Sequence, residues 1–411
     1  MSESDTIKFD FNKSVLKDIY TKNLKMKKVL FVRNAFYPDD PRLKKQVLAL
    51  LEGGYFVDIL CLRYKGQKFY EHKGNLKVFR LPLTRKRSGL KRYFFEYSIS
   101  FLVFFFIVTL LYPLKRYKYI VVHTLPDFLS FTGLIPKLFG AKIITDFHEP
   151  TPELIITKFN FSESNFLVKA AVFFEQMVIA FSTLNITVTN ALRNRYIERG
   201  ANPDKLIVIS NAVDTSAIKE LGDKMTIEKN QYFRLITHGS IEKRYGHEIV
   251  IRAIQILKEK VPNLRYTITG FGTYEKELKR IVDELELNEF VKFKGYLDFN
   301  TLVKTLKESD IGIIPMYRTP YSELIDTNKM YEYFELGIPV ALPKLKPLTS
   351  SFTDDEVIFF EPGNVESFAE EISKVLNDST KLKRLSETAK KKYEGIKWER
   401  EKLKFVEIFK R

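Results

Sequence analysis

Short apolar runs rich in β-branched residues recur along the chain, each followed by a stretch with helical spacing. The runs 27–33, 55–62, 76–81, 118–123, 141–147, 184–189 and 205–210 read as strands. Segments 40–53, 90–112, 126–139, 164–182 and 190–199 read as helices between them. A second series has strands at 233–238, 264–270, 290–294, 310–315, 338–342 and 356–360. Its helices fall at 246–260, 273–286, 299–308, 328–336 and 365–377. This alternation predicts parallel sheets with helices on both faces. Two series of similar size predict an α/β chain with two doubly wound domains. The polar stretch from Asp214 to Gln231 separates them. The last helices, over 380–393 and 398–410, have no strand after them and can cross back to the first domain.

The expected organisation is an extension over 1–26, a first domain over 27–212, a second over 213–395 and a crossing helix over 396–411. The extension carries Glu3, Asp5, Asp10 and Asp18 and lacks an apolar centre, so it does not read as a signal peptide.

Composition narrows the class. With 45% hydrophobic residues, 35 Phe and 21 Tyr, the 411-residue chain is too apolar to be disordered. Cys61 is the single cysteine, which excludes disulfides and Cys-based zinc or iron–sulfur sites. It sits in the apolar run Phe56–Leu62 and reads as a buried strand residue. A reducing, cytoplasmic setting fits. The formal charge is +16, and it is uneven. Residues 1–214 hold 33 basic and 19 acidic side chains, a balance of +14, against +2 for the remainder. A polyanionic partner would explain this: nucleic acid, an anionic membrane surface or a phosphorylated substrate. No nucleic-acid recognition module accompanies the charge, so nucleic acid is not expected.

Eighteen residues, Tyr97 to Leu114, carry no charge. Lys91 and Arg92 precede them, and Lys115 and Arg116 follow. By length this is a borderline membrane span. A span would separate the strands at 76–81 and 118–123, which belong to one sheet, and Pro113 interrupts the run near its end. Two readings remain. The helix is either a buried core element, or it packs on the sheet with one face and dips the other into a membrane interface. Phe94, Phe95, Phe101, Phe104, Phe105 and Phe106 favour the interface. So do Arg85, Lys86, Arg87 and Lys118 around them, since each basic residue near an anionic leaflet contributes about 1 kcal/mol.

Ligands of doubly wound sheets bind beyond the carboxyl ends of the strands. The first such loop, Arg33 to Arg42, has no glycine, which argues against dinucleotide binding. Arg42 at a helix start can bind an anion or only cap the surface. His123 and His148 each end a strand. His148 stands beside Glu149, an arrangement that can bind hydroxyls or move protons. Gly270-Phe271-Gly272 follows a strand but lacks a third glycine. No Asp-x-Asp is present to bridge a metal to a diphosphate. Thr327 or Asn328 can cap the helix that follows, and its N-terminus can receive a phosphate. Glu332, one turn in, can accept two hydroxyl hydrogen bonds from a ribose.

The segment Asn328-Lys329-Met330-Tyr331-Glu332-Tyr333-Phe334-Glu335-Leu336-Gly337-Ile338-Pro339-Val340 resembles the NKxxEYxxxGxPV segment of the retaining glycosyltransferases of family four. Ile209 to Asp214 resembles the family's interdomain PNGVD motif. Gly239 with Arg244-Tyr245-Gly246-His247 resembles its donor-phosphate loop. Thr269 to Gly272 and Val291 to Tyr296 resemble its nucleotide-base loops. Trp398-Glu399 opens a helix like its crossover. The resemblance covers about 27–410 and implies the GT-B fold, two facing Rossmann-like domains with a C-terminal crossover helix.

It also implies roles. His148, Arg244 and Lys329 would be catalytic, with His148 near donor sugar and acceptor and a cation on the leaving diphosphate. Glu332, Asn328, Thr327, Gly239, Gly270, Gly272, Tyr296 and Glu323 would form the donor side. Arg42, His123 and Glu149 would lie on the acceptor side. The chain departs from the pattern at Leu324, which stands where a glutamate is frequent, with Glu323 one position away. Ser240 replaces a basic residue. No metal or other cofactor is expected. The implied partners are a nucleotide-sugar, a lipid-linked or glycolipid acceptor and an anionic membrane surface at the inner face of the cell membrane. The alternatives are a GT-B sugar-nucleotide epimerase and a non-catalytic membrane-docked partner.

Overall fold

The structure, a computed structural model, describes residues 27–83, 90–212, 215–226, 231–376 and 378–410. The extension at 1–26, the basic cluster Arg85-Lys86-Arg87 and the Val213-Asp214 end of the interdomain motif lie outside the described residues, as do the side chains of Lys91 and Phe94.

The first domain runs β1 (Lys28–Phe36), α1 (Pro41–Glu52), β2 (Phe56–Leu62), β3 (Tyr70–Lys73), β4 (Leu76–Leu81), α2 (Leu90–Lys115) and β5 (Tyr119–His123). A 3-10 turn at Asp127–Gly133 leads to α3 (Leu134–Leu138), β6 (Lys142–Asp146), α4 (Thr151–Phe159) and α5 (Phe166–Phe181). Then come β7 (Leu184–Thr187), α6 (Asn190–Glu198) and β8 (Leu206–Val208). The sheet order is β3-β4-β2-β1-β5-β6-β7-β8, parallel except for the edge strand β3.

The second domain runs α7 (Ser216–Lys224), β9 (Phe233–His238), α8 (His247–Leu257), β10 (Leu264–Thr269), α9 (Glu275–Glu284), β11 (Val291–Gly295) and α10 (Phe299–Lys307). β12 (Ile311–Ile313), α11 (Asn328–Glu335), β13 (Val340–Pro343), α12 (Lys346–Thr349), β14 (Ile358–Phe360), α13 (Val365–Ser373) and α14 (Ser379–Glu394) follow. Its parallel sheet has the order β11-β10-β9-β12-β13-β14. The last helix, α15 (Trp398–Glu407), packs on the first domain. Phe405 and Phe409 enter its core beside Tyr55 and Tyr119, whose hydroxyls both donate to the Phe409 carbonyl. Glu401 accepts from the Ser210 amide at 2.8 Å.

Three departures have local causes. The sequence pattern places no helix between 147 and 164, yet α4 starts at Thr151, because Pro152 suits the first helical turn, where its missing N–H costs nothing. Pro113 lies in the last turn of α2 without ending it. α2 is also not a core helix. Phe104 and Val108 are buried against the sheet, while Phe106, Leu110 and Leu114 face outward. Phe95–Lys115 is long and apolar enough to cross a membrane. However, β4 and β5, on either side of α2, belong to one sheet, so the helix cannot carry the chain across a bilayer.

Beneath α4, α5 and α6 lies a buried polar cluster. Arg199 bridges Glu153 at 2.6 Å and Glu175 at 3.1 Å. Burial pushes Asp127 up to about 7 and Glu175 up to about 8. Both acids hold protons in the folded state that they release when unfolded. Their contribution to stability is complete below about pH 4 and is lost as pH rises to about 8. The melting temperature is therefore expected to fall between about pH 5 and about pH 8, with a shallower slope in Asp127→Asn. A wild-type melting temperature that is flat or rising over that range would refute this.

Candidate active site

The site is built where the two sets of strand ends meet. In the first domain β5 ends at His123 and β6 at Asp146, and the two residues are partners in register. Phe147-His148 continues β6 into the cleft. His123 Nδ1 and His148 Nε2 share a proton at 2.8 Å. Burial drives both imidazoles toward the neutral form, His123 to about 4 and His148 well below its ordinary value. Arg33 and Arg42 reinforce this. His148 therefore meets a ligand as a neutral imidazole, able to donate or accept a hydrogen bond.

Arg42 is not an open anion site. Its guanidinium forks onto Asp146 at 2.8 and 2.9 Å and reaches the Ile209 carbonyl and Asn211. It is a buried strut tying α1 to β6 and to the interdomain segment. His123 is fully buried, so it reaches a ligand only through His148.

The ligating atoms of His123, Asp146 and His148 lie within 4.8 Å of one another, a spacing a metal ion can bridge. The chemistry does not suit one. Asp146 already accepts from Arg42 and, at 2.6 Å, from Gln46. An added cation would displace Arg42 while facing Arg33 and Lys45.

Across the cleft, α11 presents its first turn. Thr327 holds the N-cap position with extended backbone but makes no side-chain cap bond. Asn328 Oδ1 is buried without a partner, so neither candidate caps the helix. Its leading N–H groups remain available for a phosphate. Lys329 extends past Gly239, where φ is +101° and an added Cβ would lie 2.7 Å from Lys329 Cε. Glycine here keeps the lane of the lysine open.

Gly270 and Gly272 serve packing. A Cβ on Gly270 would strike the Gly239 oxygen at 1.9 Å, and one on Gly272 the Ile241 oxygen at 2.1 Å. They let the loops after β9 and β10 lie backbone to backbone. Beyond them the exposed rings of Phe271 and Tyr296 stand 6.4 Å apart.

Two cations share one ring. The Tyr245 ring lies 4.7 Å from Lys329 Nζ and 5.0 Å from Arg244 Cζ. Tyr321 flanks Arg244 on a further side at 5.7 Å. Among the described residues neither cation forms a salt bridge, and Arg244 Nε is buried without a partner. Burial lowers Lys329 to about 8 despite nearby Glu332. Two such cations, held in place before a ligand arrives, have the charge and position to receive an anion. Glu149, from the first domain, hydrogen-bonds Tyr321, whose hydroxyl burial holds well above its ordinary value.

Glu332 sits one turn after Asn328, on the same side of α11 as Lys329. Burial raises its carboxyl to about 7, and Oε2 lies 3.2 Å from His238 Nε2 at the end of β9. Glu323 is held by Arg318 at 3.3 Å and by the Lys346 amide at 3.0 Å. Both bonds occupy its carboxylate. The neighbouring Leu324 is buried, and its carbonyl accepts from Thr189 of the first domain. His238, Tyr245, Tyr321 and Arg33 escaped the sequence reading. Only the adjacency of Tyr245 to Arg244 hinted at any of them.

The model for Glycosyltransferase Family 4 matches residues 44–217, and that for Glycosyl transferases group 1 matches residues 221–392. The chitobiosyldiphosphodolichol beta-mannosyltransferase of Candida albicans is 23% identical over 303 residues, 68% of this chain and 65% of that protein. The amylovoran biosynthesis glycosyltransferase AmsK of Erwinia amylovora is 23% identical over 165 residues, 40% of this chain and 37% of that protein. The matched segments thus span less than two thirds of these relatives.

Sucrose-phosphate synthase from Thermosynechococcus elongatus superposes with a TM-score of 0.72 at 14% identity, covering 93% of this chain and 98% of that one. Anabaena HepE in complex with UDP superposes at 0.67 and 17% identity, covering 93% and 99%. With both domain models matched in order and the two sheets arranged as in these structures, the chain belongs to the group 1 and family 4 glycosyltransferases and has the GT-B fold.

Proposed function

We propose that the enzyme moves a sugar from a nucleotide-sugar to a lipid-linked acceptor at the inner face of the cell membrane, with retention and without a metal. The pathway would be surface polysaccharide or glycolipid assembly. The observation that carries the donor half is the pair Lys329 and Arg244, which form no salt bridge among the described residues, beside the uncapped start of α11. A diphosphate fits there. As the glycosidic bond breaks, charge develops on its oxygen, and two fixed cations stabilise that charge more than the ground state. A metal would be redundant at that position. Glu332 would hold the ribose hydroxyls, and His148 would face the sugar and acceptor across the cleft. Retention is carried over from the family resemblance.

The acceptor half rests on the outward apolar face of α2 and on the basic first domain. The relatives named for amylovoran and chitobiosyldiphosphodolichol chemistry are in keeping with it. The test is a nucleotide-sugar panel with extracted lipids, run with and without a chelator and read by product mass. Acceptor-dependent transfer that survives chelation is expected. Conversion of a nucleotide-sugar without acceptor would instead make the protein an epimerase. Absence of binding to every nucleotide-sugar would make it a non-catalytic partner.

A further inference from the structure

The outward apolar surface does not stop at α2. Phe106 and Leu110 of α2 are 62% and 69% exposed, and Leu138 at the end of α3 is 74% exposed. On α5, Phe166 and Phe173 are 79% and 61% exposed. These two lie seven residues apart, hence on one helical face, and Met177 continues it one turn on.

Aromatic contacts join the helices. The Phe128 ring, in the 3-10 turn, lies 5.7 Å from Phe101 of α2 and 6.3 Å from Phe174 of α5. Tyr112 of α2 packs 6.3 Å from Phe139 and donates its hydroxyl to that residue's carbonyl. One apolar plateau therefore spans α2, α3 and α5. It is larger than the scattered apolar residues of an ordinary surface.

Charge identifies what covers it. The charged residues of α5 are Lys169 and Glu175, and Glu175 turns inward to Arg199. Asp127, Asp146, Glu153 and Glu175 are all buried. By contrast, no described Lys or Arg between 92 and 169 is buried. The rim thus presents Arg116, Lys158 and Lys169, opposed by the exposed Glu163. A second copy would set like charge against like charge. An anionic bilayer offers both an apolar layer and negative headgroups.

We propose that α2, α3 and α5 dock as one plateau on an anionic membrane surface, with α5 immersed beside α2. This rests on the reading that the enzyme works at a membrane face. It adds a second docking helix that directly follows α4, the helix that leaves the cleft after His148. Immersion of α5 would set that side of the cleft beside the lipid surface.

The test is flotation of the full chain with vesicles of phosphatidylcholine, with and without phosphatidylglycerol. One variant carries Phe173→Glu with Met177→Glu on α5. A second carries Phe106→Glu with Leu110→Glu on α2. Both are first matched to the parent by circular dichroism and melting. The parent is expected to float with the anionic vesicles and to detach at high salt. Each double variant is expected to bind at least about tenfold more weakly, since carboxylates face the acyl layer. An α5 variant that floats like the parent while the α2 variant fails would overturn the shared plateau. A parent that floats with neither vesicle would remove the membrane reading itself. A dimer broken by the α5 variant, seen by light scattering, would assign the face to a second copy and overturn the proposal.

Discussion

Replacing Lys329 or Arg244 with methionine is expected to lower kcat about 10²–10³-fold each, with a smaller change in donor KM. The reason is where the charge appears. Both side chains lie beside the Tyr245 ring, so their positions are set before substrate arrives. A fixed cation pays no reorganisation cost as the diphosphate departs. Neither carries a carboxylate partner that a ligand would have to displace. Lys329, lowered to about 8 by burial, is charged below that pH and loses its proton above it. Turnover should therefore fall as pH rises through about 8, and Lys329→Arg should extend the plateau upward. Tyr245→Phe keeps the ring and is expected to stay near parent activity. Tyr245→Leu removes it and should lose roughly tenfold in kcat, of the order of one cation–π contact. An unchanged pH profile in Lys329→Arg would remove Lys329 from the charge-bearing role.

Donor binding should depend as strongly on Glu332. Glu332→Ala is expected to weaken it about 150-fold or more, the loss of two hydrogen bonds to a charged acceptor at roughly 1.5 kcal/mol or more each. Calorimetry with the nucleoside diphosphate selected by the sugar panel measures this directly. The carboxyl, raised to about 7, offers two charge-assisted acceptors to a pair of hydroxyls only when ionised. Affinity should therefore decline as pH falls through about 7, and Glu332→Gln should lack that decline. Together with the loss of charge on Lys329, this places the best overall activity between about pH 7 and about pH 8. Unchanged affinity in Glu332→Ala would refute the ribose role.

The two domain patterns and most strands were legible because a buried parallel strand must be almost continuously apolar. The start of α11 was legible too, since a lysine and a glutamate one turn apart, ahead of Gly337 and Pro339, mark a helix with a functional end. The edge strand β3 was not, because Tyr-Glu-His-Lys is polar and gains its order only from pairing with β4. Arg42 misled for a related reason. Beside a helix start it looks like a surface cation, and its partner Asp146 lies 104 residues away. The contact of Glu332 with His238 is equally invisible in the linear chain, because it needs α11 laid over the end of β9.

What the sequence determined by itself was local: element types, the glycine at each tight approach, the apolar length of α2 and the concentration of positive charge in the first half. Each follows from a property of neighbouring residues. Tertiary structure alone decided which of those residues stand open to a ligand and which are consumed by the fold. It neutralised Arg42 against Asp146 and, among the described residues, left Lys329 and Arg244 without a salt bridge beside one tyrosine ring. It also turned the apolar face of α5 outward, next to that of α2. A charge is a ligand site only when the fold withholds its partner, and an apolar helix face is a docking surface only when the fold leaves it uncovered.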